Sequence, residues 1–158
     1  SLAKMGIAAS FPWLALAILV FFTGFISDKL IAGGMSKYKA RTFFGCVGLI
    51  ISGVALYLAA SATSQTMNLV WLTISLGALG FTFNASWASC IDIGGKFSGT
   101  VSGWMNFWGN LGGVAAPTLT AWIATTYGWQ AALLATAFSA IVGVVCWILV
   151  KPDKPLAE

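Results

Sequence analysis

TFFGCVGLIISGVALYLAASATSQTMNLVWLTISLGALGFTFNASWASCI, residues 42–91, runs for 50 positions without an Asp, Glu, Lys or Arg. A helix crossing the hydrocarbon core of a bilayer needs about 20 apolar residues, so this stretch holds two crossings, with the uncharged SATSQT (61–66) as the turn between them. Residues 5–27 and 97–150 are equally free of charge over 23 and 54 positions. One further crossing fits the first and two fit the second. The sequence therefore predicts an all-α membrane protein with five transmembrane helices, at about 3–27, 42–60, 69–90, 98–126 and 130–150. An odd count reads as part of a larger bundle, and a first residue Ser1 in place of Met fits a fragment.

Composition excludes most other classes. The chain is 59% hydrophobic and 8% charged, with mean hydropathy +0.91, against about a quarter charged in soluble domains. Soluble helices would show polar outer faces, and these segments are apolar all round. Residues 1–10 lack the basic start and small-residue cleavage site of a signal peptide. There is no histidine, and no carboxylate lies inside a span, so no general base or activated nucleophile is available and no catalytic residue is assigned. Cys46, Cys90 and Cys146 are far apart within apolar segments and read as packing residues, neither a disulfide framework nor a metal site.

The net charge of +4 has the distribution of a membrane protein, not of a nucleic-acid-binding patch. Five spans put Lys29, Lys37, Lys39, Arg41, Lys96, Lys151 and Lys154 on one side and Lys4 on the other. Basic loops stay inside. The expected orientation has a cytoplasmic C-terminus in a cell (inner) membrane.

Polar groups within the spans mark packing contacts or a pathway. Asn106 and Asn110 are four apart and share a helix face, flanked by Trp104 and Trp108; Asn84 lies inside the third span. A side-chain amide donates and accepts at once, which suits the hydroxyls and carboxylate of a small polar ligand. The fourth span is rich in Gly99, Gly103, Gly109 and Gly113, with Pro117 beyond. Small residues at four-residue spacing favour close helix packing, and with the proline they make this helix bendable. Asp28 is expected to end the first helix. A carboxylate there faces the negative end of the helix dipole and needs a partner, either Arg41 or the N-terminus of a neighbour such as the fourth span.

Gly24-Phe-Ile-Ser-Asp28-Lys29-Leu, followed by Gly34 and Arg41, resembles the cytoplasmic signature of the major facilitator superfamily. Asp92-Ile-Gly-Gly-Lys96-Phe-Ser-Gly99, continuing through Gly103, Asn106, Gly109, Asn110 and Gly113 to Pro117, looks like helices ten to eleven of its anion:cation symporter branch. The internal turn reads Ile93-Gly-Gly-Lys96 where that branch commonly has a proline. The resemblance implies helices eight to twelve of a twelve-helix carrier, a partial C-terminal bundle over 1–158. It further implies symport of a small organic anion such as a hexuronate or other sugar acid, coupled to H+ and without another cofactor, by alternating access. Gly24, Asp28, Lys29 and Arg41 would form a cytoplasmic gate, Asn106 and Asn110 would contribute to the substrate site, and the missing N-terminal bundle would be the partner. A carrier of neutral sugars or drugs, and a five-helix scaffold subunit, are the alternatives.

Overall fold

The computed structural model describes residues 2–156, with side chains from residue 6 onward. Ser1, Ala157 and Glu158, the ends of the expected bundle, and the side chain of Lys4 lie outside the described residues. The described residues form α1 (Leu2–Ala32), α2 (Lys37–Ala60), α3 (Gln65–Gly94), α4 (Ser98–Tyr127) and α5 (Trp129–Leu149), so the class is all-α.

Two expectations are corrected. The first concerns the helix count. A 3-10 turn, Gly95–Phe97, joins α3 to α4 without a loop, so the apolar helices form four uninterrupted runs, not five, and the third is 63 residues long. That run is not one rod. Fifteen residues of straight helix would separate Cys90 from Met105 by about 22 Å, yet the Cys90 Sγ and Met105 Sδ atoms lie 3.3 Å apart. The chain doubles back at Gly95, whose φ of 49° is open to glycine but costly for other residues. The expected turn IDIGGK is thus mostly helix, with α3 running on to Gly94 and the 3-10 turn taking Gly95–Phe97.

The second correction concerns helix ends. Charge-free stretches mark the apolar core, and the helices run past it. α1 continues to Ala32 and α2 starts at Lys37, which shrinks the expected loop 28–41 to four residues turning through Gly34 at φ 98°. Asp28 therefore sits one turn inside α1, not at its end. Ser36 caps α2 by accepting from the Lys39 amide at 3.3 Å, and Ser64 caps α3 by accepting from the Met67 amide at 3.1 Å; each thereby satisfies a donor that a helix start leaves free.

α3 is the hub, packed against α1, α2 and α4, while α5 lies on α2 and α4. Small residues allow this close approach. A Cβ on Gly80 would stand 2.8 Å from the Leu16 carbonyl of α1, and one on Gly48 would stand 2.7 Å from the Ala78 carbonyl of α3. Trp147 of α5 lies flat against Gly45 of α2, closing a small core with Phe44 and Ala85.

Candidate functional site

Charge gathers at one end of the bundle. Arg41, in the second turn of α2, is buried and reaches three partners. Its Nη1 donates to Ser27 Oγ at 2.7 Å and to Asp28 Oδ1 at 3.1 Å on α1; its Nε donates to Asp92 Oδ2 at 3.1 Å on α3. Lys37 Nζ lies 2.9 Å from Asp92 Oδ1. The guanidinium is a planar fork of five donors, so one residue can tie two helices to its own.

The carboxylates are not equivalent. The Asp92 side chain is 11% exposed and that of Asp28 is 72% exposed. Of the expected pair of partners for Asp28, Arg41 is the one the fold supplies. Ser27, Lys37 and Asp92 escaped the sequence reading. Asp92 carried a signal all the same, as a lone acid closing a charge-free stretch of 50 residues, since a carboxylate at that depth needs a cation. Lys29 does not join the network: its Nζ sits 4.4 Å from the centroid of the Phe25 ring. Gly24 lies one turn before Asp28, where a Cβ would stand 2.9 Å from Asn84 Nδ2. Asn84 thus packs at the α1–α3 crossing, and its Oδ1 is buried without a hydrogen-bond partner.

The other expected residues lie on α4. At about 100° per residue, Gly99, Gly103, Asn106, Asn110, Gly113 and Pro117 fall within about 40° of one line along the helix, with Gly109 on its flank. Every residue from 106 to 119 is exposed, and nothing lies within 4 Å of where a Cβ would stand on these four glycines. Among the described residues they make no close helix contact. Asn110 Nδ2 donates to the Asn106 carbonyl at 2.7 Å, leaving its Oδ1 and the whole Asn106 side chain open. Pro117 is accommodated inside the continuous helix. Trp104 is on the other side of α4, its ring stacked on Phe107 at 6.1 Å and edge-on to Trp108 at 5.7 Å. Among the described residues no hydrogen bond links Asn84 to Asn106 or Asn110. A cavity of about 580 Å³ between α1, α2, α3 and α5, carrying Ser52 and Ser75, is lined by none of them.

The family model described as Major Facilitator Superfamily matches residues 1–158. The chain belongs to the major facilitator superfamily. It is similar to "Probable anion transporter 4, chloroplastic" of Oryza sativa subsp. japonica, 26% identical over all of this chain and 27% of that protein. It is 29% identical to the "D-galactonate transporter" of Escherichia coli O6:H1, over 95% of this chain and 35% of that protein. It is 27% identical to "Sodium-dependent phosphate transport protein 1, chloroplastic" of Arabidopsis thaliana, over all of this chain and 31% of that protein. The chain thus spans about a third of the length of these relatives. Superfamily membership and the apolar helices make it a multi-pass membrane protein, and its relatives are transporters by name, not enzymes.

Proposed function

We propose that this chain is the C-terminal part, helices eight to twelve, of a twelve-helix carrier for a small organic anion, with the hexuronates and other sugar acids as the substrate class. The galactonate and anion carriers among its relatives support that class. The observation that carries the reading is the free face of α4. A row of glycines and two asparagines stands exposed along a helix apolar enough for a membrane. Such a row fits neither lipid nor water. It suits a polar pathway shared with a second bundle, in the manner of carriers whose sites lie between repeats.

In this reading Asn106 and Asn110 bind substrate hydroxyls or its carboxylate, Asn84 flanks the pathway, and Trp104 borders it. Gly103 and Gly113 let the opposing bundle approach, and Pro117 with its neighbouring glycines lets α4 flex. The basic end faces the cytoplasm of a cell whose inner membrane holds the carrier. There Asp28 and Arg41, with Gly24 and Lys29 in the same motif, act as a gate that closes and opens with alternating access. Coupling to H+ is part of the proposal. In this reading the charged groups that hold the anion and move the proton belong to the N-terminal bundle, since Asp28 and Asp92 are both bonded to Arg41 at the basic end.

The test uses the whole carrier. Asn106→Ala and Asn110→Ala are expected to weaken binding of galactonate or a hexuronate while leaving expression and membrane insertion intact. Unchanged affinity in both would reduce these asparagines to packing residues. Asp28→Asn is expected to shift the inward/outward balance, read as maleimide accessibility of a cysteine at the basic face, more than it shifts affinity.

A further inference from the structure

After α5, residues 150–156 stay against the bundle. They turn beneath the basic end and bond α2 and α3, while a tyrosine of α2 bonds the end of α5. Asp153 Oδ1 accepts from the Tyr38 amide at 2.7 Å, in the first turn of α2. Tyr38 Oη donates to the Ile148 carbonyl at 3.1 Å, in the last turn of α5. The Leu156 amide donates to the Ile93 carbonyl at 2.8 Å, in the last turn of α3. Between them Pro152 is fully buried, and the Lys154 amide closes a turn on the Lys151 carbonyl at 3.1 Å.

Each contact answers a need of a helix end. The first turn of α2 has free amides that Ser36 satisfies only in part, and a carboxylate is favoured at that positive end. The last turns of α3 and α5 have free carbonyls that need donors. The segment after α5 meets the needs of α2 and α3, and Tyr38 meets that of α5, so the three ends are tied together. Those ends include the groups that must stay in register for the charge network. Tyr38 is one turn from Arg41, and Ile93 is next to Asp92.

We propose that residues 151–156 are a strap that sets the position of α2 relative to α3, and that Asp153 is a positioning residue for the Arg41–Asp92 pair. The strap holds this pair together while α1, which none of these contacts reaches, stays free to move against it. The role in transport rests on the carrier function proposed above; the strap itself does not.

The experiment is hydrogen–deuterium exchange of the full-length carrier, comparing wild type with Asp153→Ala and Asp153→Asn. Loss of a cap-type carboxylate is expected to speed exchange of the amides of residues 37–41 about fivefold, with α5 residues 134–145 unchanged. Asp153→Asn keeps an acceptor oxygen and is expected to restore protection. Wild-type exchange in Asp153→Ala overturns the strap, and so does faster exchange spread over all helices, which would mean only a loss of general stability. In uptake assays with galactonate, Asp153→Ala is expected to lower turnover several-fold with KM within twofold. A local rise in exchange with unchanged turnover would leave a strap but overturn its positioning role.

Discussion

Asp92→Asn and Asp28→Asn, made separately in the whole carrier, should differ in cost by several-fold although both residues bond the same arginine. Arg41 is buried, with its side chain 9% exposed, and Asp92 is nearly so at 11%. Removing one member of such a pair leaves an uncompensated buried charge, which costs about 3–5 kcal/mol. Asp92→Asn belongs at the lower end of that range, about 3 kcal/mol, because Asp28 and Ser27 still hold the guanidinium. Asp28 is 72% exposed. An ion pair with one partner in solvent is worth about 1 kcal/mol or less, and less again in high salt. Equilibrium unfolding of the two variants in mixed detergent micelles, with the tryptophans as reporters, reads the difference directly. Arg41→Ala in the same assay should cost at least as much as Asp92→Asn, and the double variant of Arg41 and Asp92 should cost less than the two singles summed. Equal destabilisation by Asp28→Asn and Asp92→Asn would refute the argument that burial, not contact distance, decides which carboxylate anchors Arg41.

Three further outcomes follow from the packing and the α4 face. Gly48→Val should destabilise by about 3 kcal/mol, since its new Cβ meets the Ala78 carbonyl at 2.7 Å; thermal unfolding checks it, with Gly99→Ala as a control that meets nothing within this chain. Trp147→Ala should cost about 3 kcal/mol by emptying the space against Gly45 and Phe44, and Trp147→Phe should recover part of that loss in the same unfolding assay. Asn106→Ala and Asn110→Ala should each weaken substrate binding about 10-fold or more, the worth of a hydrogen bond to a charged ligand group, measured by calorimetry on the purified carrier.

The stretches without charge in 5–27, 42–91 and 97–150 made the all-helical membrane class legible, because a bilayer core imposes one length and one composition on any crossing helix. The same signal misplaced the ends. Lys37, Lys39 and Arg41 are good helix formers, and they extend α2 into the region that charge alone reads as loop. The turn at Gly94–Gly95 was visible as a glycine pair, but its tightness was not, since one residue at positive φ does the work of a loop. At the site, Asp28 and Arg41 were within reach of sequence reasoning because a carboxylate near a helix C-terminus demands a cation. Asp92 and Ser27 were not singled out, since which groups surround a buried arginine depends on how α1 and α3 cross. The face of α4 shows the converse. Its glycines and asparagines are legible from spacing, and the structure adds that, among the described residues, nothing lies within 4 Å of a Cβ on Gly99, Gly103, Gly109 or Gly113 and the Asn106 side chain has no hydrogen-bond partner.

The unequal carboxylates around Arg41 bear on how a gate at this end would work. A buried arginine cannot lose all its negative partners, because an uncompensated charge away from water is too costly. With Asp92 and Asp28 both bonded it has one more than it needs, and Lys37 balances the surplus. The exposed carboxylate is therefore the one that can leave. Were α1 to move, Asp28 could exchange Arg41 for water at a cost of about 1 kcal/mol or less, while Asp92 would keep the arginine compensated on α3. In the proposed gate Arg41 and Asp92 would be the fixed hub between α2 and α3, and Asp28 its exchangeable arm. A latch requires this division: one contact strong enough to hold the geometry, and one weak enough for substrate binding to shift.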